Sequence, residues 1–169
     1  IDIEVFMVKV SFDQKPYRKL MMQSFGGTCH PSPSELTDFG KKLLAEDPKN
    51  PGSLGIAISE AIEAVVKSEG KAKYALGSVL GHVLLHQTIN GNEAILQMEQ
   101  AGDYPDIIVG CTGGGSNLAG LMFPFLGQQL RGGQKIDIIG CEPLSCPSFT
   151  KGKYAYDHGD MARMTPLIK

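Results

Sequence analysis

The chain opens on Ile1-Asp2-Ile3-Glu4-Val5-Phe6-Met7-Val8-Lys9-Val10, an alternating run rich in β-branched residues, and a period of two predicts a strand. Pro16 to Phe25 reads as a short helix, because proline suits a first helical turn and Gly26-Gly27 supplies the stop. Residues 28–35, Thr-Cys-His-Pro-Ser-Pro-Ser-Glu, are proline and serine punctuation and predict an extended loop. A helix is expected over Ser34 to Ala45, ended by the turn residues 47–52. Ser53 is placed to cap another, running to about Ser68, with Ile56, Ile58, Ala61, Ile62, Val65 and Val66 as its apolar stripe and Gly70 as its end. The composition breaks at Lys71-Ala72-Lys73-Tyr74.

Leu80 to Gln100 reads as one long helix, with Val83, Leu84, Gln87, Ala94, Ile95 and Met98 near helical spacing. After the polar turn Asp103-Tyr104-Pro105-Asp106, Ile107-Ile108-Val109-Gly110-Cys111 is a continuous apolar run of the kind a buried parallel strand shows. Thr112-Gly113-Gly114-Gly115-Ser116-Asn117 follows, then a helical Leu118 to Leu130, then Arg131-Gly132-Gly133, then a second strand over Ile136 to Cys141. Strand, glycine loop, helix and strand make one βαβ unit. The residues from Glu142 on show no periodicity and read as loop.

Composition narrows the function. The 16 basic side chains against 18 acidic ones leave a net charge of −2, which argues against a nucleic-acid binder, whose footprint is a positive excess. A chain that is 42% hydrophobic and 20% charged has the apolar surface for a core. No apolar run reaches the roughly 18 residues of a membrane span, and no basic-then-apolar segment opens the chain, so a soluble, cytoplasmic protein is expected. By length this is one domain or slightly more. The opening without methionine, inside a strand-like run, and the stop at Lys169 after Thr165-Pro166-Leu167-Ile168 read as the two cuts of an internal piece. The four cysteines, Cys29, Cys111, Cys141 and Cys146, include no C-x-x-C pair, so buried, reduced thiols are expected rather than a zinc or redox site.

Glycine stands at 21 of 169 residues, about 12% against a usual 7% or so. Three of these glycines, Gly113 to Gly115, follow a strand and open a helix. That arrangement gathers free backbone N–H groups and the positive helix end at one spot, while Ser116 and Asn117 add a hydroxyl and an amide. It predicts a phosphate cradle. A Walker loop needs lysine and then Ser or Thr where Ser116-Asn117 stand, so triphosphate hydrolysis is disfavoured. The dinucleotide fingerprint G-x-G-x-x-G, counted from Gly113, fails at Leu118, although Glu142 after the second strand leaves a nicotinamide enzyme as a minor option.

Other candidates are weaker. His82 and His86 stand four apart on a predicted helix but lack the H-E-x-x-H pattern and a third ligand, so core or interface histidines are the better reading and no metal is expected. His30 and His158 are unspecific. Asp157, Asp160 and Glu142 read as solvated loop carboxylates. The surroundings of Ser116 suit an anion donor better than a nucleophile elbow.

Cys111-Thr112-Gly113-Gly114-Gly115-Ser116-Asn117 resembles the phosphate-binding loop of the tryptophan synthase β chains, pyridoxal-phosphate enzymes of fold type II. The likeness extends to residues 51–61, Pro-Gly-Ser-Leu-Gly-Ile-Ala-Ile-Ser-Glu-Ala, to Tyr74-Ala75-Leu76-Gly77-Ser78-Val79-Leu80 and to Gly140-Cys141-Glu142-Pro143. Residues 82–88, His-Val-Leu-Leu-His-Gln-Thr, with Gln14-Lys15-Pro16-Tyr17-Arg18, look like the longer, second type of β chain. The resemblance covers nearly the whole chain. It implies pyridoxal 5'-phosphate with its phosphate ester on Gly113, Gly114, Gly115, Ser116 and Asn117, with Gly77 and Ser78 near the cofactor. It implies replacement of the hydroxyl of L-serine by indole to give L-tryptophan, a homodimeric parent, and a family in which an α-type subunit docks on the β chain.

It also implies an α/β fold made of parts of two three-layer α/β/α domains. Residues 1–80 would belong to the smaller N-terminal domain, 81–102 to a connecting helix, and 103–169 to the cofactor-binding domain. The family's Schiff-base lysine, catalytic glutamate and pyridine-nitrogen partner fall outside the matched stretch, so the catalytic residues are unknown and the chain alone is expected to be inactive. Gly81 and Asn90 depart from the family's asparagine and apolar residue. Two alternatives stay open: a catalytically silent α/β fragment that binds phosphate or self-associates, and a sister fold-type-II lyase or dehydratase.

Overall fold

The computed structural model describes residues 1–168. Its backbone divides into two compact units, one made of Ile1–Tyr74 and the stretch from Tyr154 onward, the other of Ala75–Lys153.

In the first unit, β1 (Glu4–Val8) runs directly into α1 (Lys9–Gln14), and α2 (Pro16–Ser24) starts on its proline. The strand expected over residues 1–10 therefore ends two residues early, where the backbone N–H of Val10 turns away to donate to Pro51 O at 2.9 Å. Residues 28–35 are not simply a loop. Thr28–Ser32 form β2, parallel to β1 with Phe6 opposite His30 and Val8 opposite Ser32. Its strand character comes from the partner, since Thr-Cys-His-Pro-Ser has little pattern of its own. α3 (Asp38–Glu46) starts later than expected, on Thr37, whose side chain accepts from Gly40 N at 3.0 Å. α4 (Leu54–Lys67) starts on Ser53, which accepts from Ile56 N. Five consecutive residues at its start, Ile56 to Glu60, are buried, while Val66 at its end is 69% exposed. The expected stripe gives way to a five-residue stretch buried on every face.

The second unit begins irregularly and then forms α5 (Gly81–His86) and α6 (Thr88–Ala101). The single long helix is thus broken at Gln87. There Thr88 Oγ1 donates to Leu85 O at 2.6 Å, and Asn90 Nδ2 donates to the carbonyl and side-chain oxygens of Gln87 at 3.1 and 2.9 Å. Side chains compete with the backbone ladder at this point. Gly102, at φ 68°, closes α6. β3 (Ile107–Cys111), α7 (Ser116–Leu130) and β4 (Asp137–Cys141) form the expected βαβ unit, with the strands parallel and Ile108 opposite Ile138. Ile108, Phe125 and Ile136 are its buried centre, with Ala94 and Ile95 of α6 packed against them. Only one face of β3 is buried, however: Ile107 and Val109 are 54% and 57% exposed.

The residues after Glu142 are not all loop. α8 (Ser148–Lys151) is a single turn in the second unit, and β5 (Asp157–His158) pairs antiparallel with β6 (Leu167–Ile168) in the first. The compact units divide at Tyr74/Ala75 and place both α5 and α6 with the glycine loop, and the stretch from Tyr154 with residues 1–74.

Candidate functional site

Gly113, Gly114 and Gly115 form the turn between β3 and α7, and Ser116 and Asn117 are the first residues of the helix. Gly115 is the helix N-cap at φ 92°, a left-handed conformation that a side chain would strain. The first intrahelical bond of the turn is donated by Ala119 N to Gly115 O at 2.9 Å. Among the described residues, no backbone acceptor takes the N–H groups of Gly113 to Leu118, and they crowd the positive end of a 15-residue helix. Asn117 does not point its amide oxygen outward. It accepts from Cys111 N at 3.0 Å and ties the helix start back to the strand. Thr112 is bound on the other side, with its N–H donating to Cys141 O at 2.7 Å.

A Cβ on Gly114 would overlap Ser78 Oγ and stand 2.8 Å from Ser78 Cβ and from Val79 Cγ2. The segment that presses on the loop is itself strained. Val79 holds φ 75°, rare for a β-branched residue, and Leu80 N donates to Ser78 O at 2.9 Å across it, closing a tight turn. Nothing lies within 4 Å of a Cβ placed on Gly113 or Gly115. The loop is therefore closed on one side by Ser78 and Val79 and open above Gly113 and Gly115. The residues fit a phosphate ester: donors in excess, no carboxylate among them, and a backbone that only glycine allows. The hydroxyl of Thr112, 4% exposed and without a hydrogen-bond partner, is a further polar group buried beneath the loop.

The remaining sequence candidates are arranged differently. His82 and His86 are both exposed, with ring centroids 6.0 Å apart, so they are not core histidines. His30 packs its ring 5.6 Å from Phe6, and its Nε2 is buried without a partner. His158 Nδ1 lies 2.7 Å from Thr165 O. Asp160 is not a solvated carboxylate, being only 6% exposed. Burial pushes its carboxyl up, but the amides of Thr165 and Met164 and the hydroxyls of Thr165 and Ser59 outweigh that and hold it below the usual range. Glu142 accepts from Phe149 N at 2.7 Å and from Thr150 N at 3.0 Å, so its carboxylate is engaged by the turn that follows it rather than free to meet a ribose. Those amides and the Thr150 hydroxyl, the largest influence, hold it low. Among the described residues, no group of three or more His, Cys, Asp and Glu side chains is placed to hold a metal.

Glu60 was not singled out from the sequence. Fully buried on α4, it accepts from Ser34 N at 3.0 Å, Ser34 Oγ at 2.6 Å, Thr37 Oγ1 at 2.7 Å and Ser32 Oγ. The only available sign was a glutamate within an apolar helical stretch. Of the cysteines, only Cys29 is buried. Cys111, Cys141 and Cys146 are exposed, against expectation, since the strand ends bearing the first two lie on the uncovered face of their sheet.

A family model described as pyridoxal-phosphate dependent enzyme matches residues 1–166. All of the chain aligns with a tryptophan synthase beta chain 2 of Thermotoga maritima at 59% identity, over 40% of that protein, and with one of Aeropyrum pernix at 56%, over 38% of it. A tryptophan synthase beta chain of Pseudothermotoga lettingae is 56% identical, again over 40% of its length. The chain thus spans about two fifths of the length of the curated relatives it matches.

Proposed function

The chain belongs to the pyridoxal-phosphate dependent enzyme family, and on that premise we propose that it is the phosphate-holding part of a tryptophan synthase β chain of the second type. The parent reaction is replacement of the hydroxyl of L-serine by indole to give L-tryptophan. One observation carries the reading: Gly114 is packed so tightly against Ser78 and Val79 that only glycine fits, at the N-terminus of α7 and at the end of a parallel strand.

Gly113, Gly114, Gly115, Ser116 and Asn117 would hold the phosphate ester. The backbone N–H groups of the loop and the first turn donate to its oxygens, and the helix end supplies a partial positive charge. Ser116 adds a hydroxyl donor, while Asn117 keeps the turn in shape through Cys111 N. Ser78 and Val79 support the loop from behind. When bound, pyridoxal phosphate supplies an electron sink for chemistry at the α and β carbons of an amino acid. The chain's own contribution is anchorage and orientation, because none of its lysines stands in the context of the family's Schiff-base lysine. Alone it is inactive. The parent is a cytoplasmic homodimer on which an α-type subunit docks, with residues 1–80 in its smaller domain, 81–102 as a connection and 103–169 in the domain that carries the cofactor.

The test is calorimetric titration of pyridoxal phosphate into the chain and into Gly114→Ala. Binding by the native chain, weakened about tenfold or more in the variant, with no lysine pyridoxylated on borohydride reduction, supports the reading. Equal binding by both proteins, or a reducible lysine adduct, refutes it. Indole and L-serine given to a longer chain carrying these residues and the lysine should yield L-tryptophan, and no product would refute the substrate assignment.

A further inference from the structure

We propose that His82 and His86 together chelate one late first-row divalent cation, of the nickel, copper and zinc class, on helix α5. Spaced i and i+4, they share one face of the helix, and both side chains are exposed. Their ring centroids are 6.0 Å apart with the planes at 76°. An ion about 2.1 Å from one nitrogen of each ring lies about 3.2 Å from each centroid, which sets the centroids about 5.2 Å apart at a tetrahedral angle. The observed pair is within an ångström of that separation, a gap that small side-chain rotations close. The contact that binding would replace is the edge-to-face one the two rings make with each other.

Donor chemistry sets the class of ion. Two imidazole nitrogens with water in the remaining positions suit nickel, copper and zinc, whereas magnesium and calcium require oxygen ligands. The helix also stands to gain. α5 has six residues, fewer than a helix needs to persist by itself, and the two histidines span it from its second residue to its last. A metal clip across that turn holds it in helical form. The proposal does not depend on what the glycine loop binds.

Titration of the chain with zinc chloride, followed by calorimetry and far-ultraviolet circular dichroism, tests this. One ion bound per chain at micromolar concentration is expected, with a gain of helical signal. His82→Asn and His86→Asn should each weaken binding by about tenfold or more, while keeping the metal-free spectrum of the native chain. The double variant Cys111→Ser/Cys141→Ser, which removes the two exposed thiols paired across β3 and β4, should bind as the native chain does. No binding, binding untouched by both histidine variants, or binding lost in the cysteine variant would each overturn the proposal.

Discussion

Leu118, on the first turn of α7, lies directly over Gly110 of β3. A Cβ on that glycine would stand 2.7 Å from Leu118 Cδ1 and 2.9 Å from Leu118 Cα. Gly140, opposite Gly110 in register, faces the same side chain less closely, with Leu118 Cδ2 at 3.0 Å and Thr112 Oγ1 at 3.2 Å. The missing side chains let the helix settle on the strands and bring its N-terminus to the glycine loop.

That difference predicts an order of stabilities. Gly110→Ala meets backbone that cannot rotate away, so it should lower the unfolding free energy by about 2–3 kcal/mol. Gly140→Ala meets mainly the end of a side chain and should cost less than about 1 kcal/mol. Urea denaturation of the two variants decides the matter, and the reverse order would show that Leu118 does not set the spacing.

Glu60 closes a buried polar cluster built, among the described residues, from an amide and hydroxyls. Glu60→Ala leaves the amide of Ser34 and the hydroxyls of Ser32, Ser34 and Thr37 without their acceptor and should cost about 3 kcal/mol or more. Glu60→Gln keeps one oxygen, and the hydroxyl of Ser32 can turn to accept from the new amide, so its cost should be about 1 kcal/mol. Equal losses, read from denaturant midpoints, would mean that side-chain volume rather than hydrogen bonding matters here.

Asp160 ties the residues after Tyr154 to α4, with Ser59 Oγ 2.9 Å from its Oδ2 across 101 residues of sequence. Its carboxyl is held below the ordinary 3.8 in the folded chain, so protons bind the unfolded form more readily. The stabilisation is complete above 3.8 and is lost as pH falls through the lower folded value. Asp160→Asn should therefore be less stable than the native chain at neutral pH, with the gap narrowing in acid. Hydrogen exchange at Met164 and Thr165, whose amides donate to this carboxylate, should show the same dependence. A gap constant from neutral pH to acid would rule out the carboxylate as its source.

Thiol reactivity should split three to one. Cys111, Cys141 and Cys146 are exposed and should react with a soluble disulfide reagent in the native state. Burial pushes the Cys29 thiol up, against the pull of Lys19, so it should react only after unfolding. Mass spectrometry after brief labelling checks this, and early modification of Cys29 would contradict its burial on β2.

The elements with strong local signals were legible from sequence. The apolar run of β3, the three glycines, the helical period after them and the cap at Ser53 each lie within a few residues, and hydrophobic periodicity and capping act over that distance. Composition excluded a phosphate-backbone binder, and the glycine loop with its neighbouring segments carried the resemblance to one enzyme family. The pairing of β2 with β1, the break at Gln87, the burial of Glu60 and Asp160 and the pressure of Ser78 on Gly114 were not legible. The strand pairing, the two buried carboxylates and the Ser78 contact depend on partners far along the chain: a strand partner in register, hydroxyls gathered from a distant loop, or a turn folded back over the glycines. The break at Gln87 is local, but it turns on whether the side chains of Thr88 and Asn90 or the helix ladder take the nearby carbonyls, a choice that residue pattern does not set. Local sequence sets what a segment can become, whereas hydrogen bonds and contacts closed between distant segments decide which polar groups are buried and which glycines admit nothing larger.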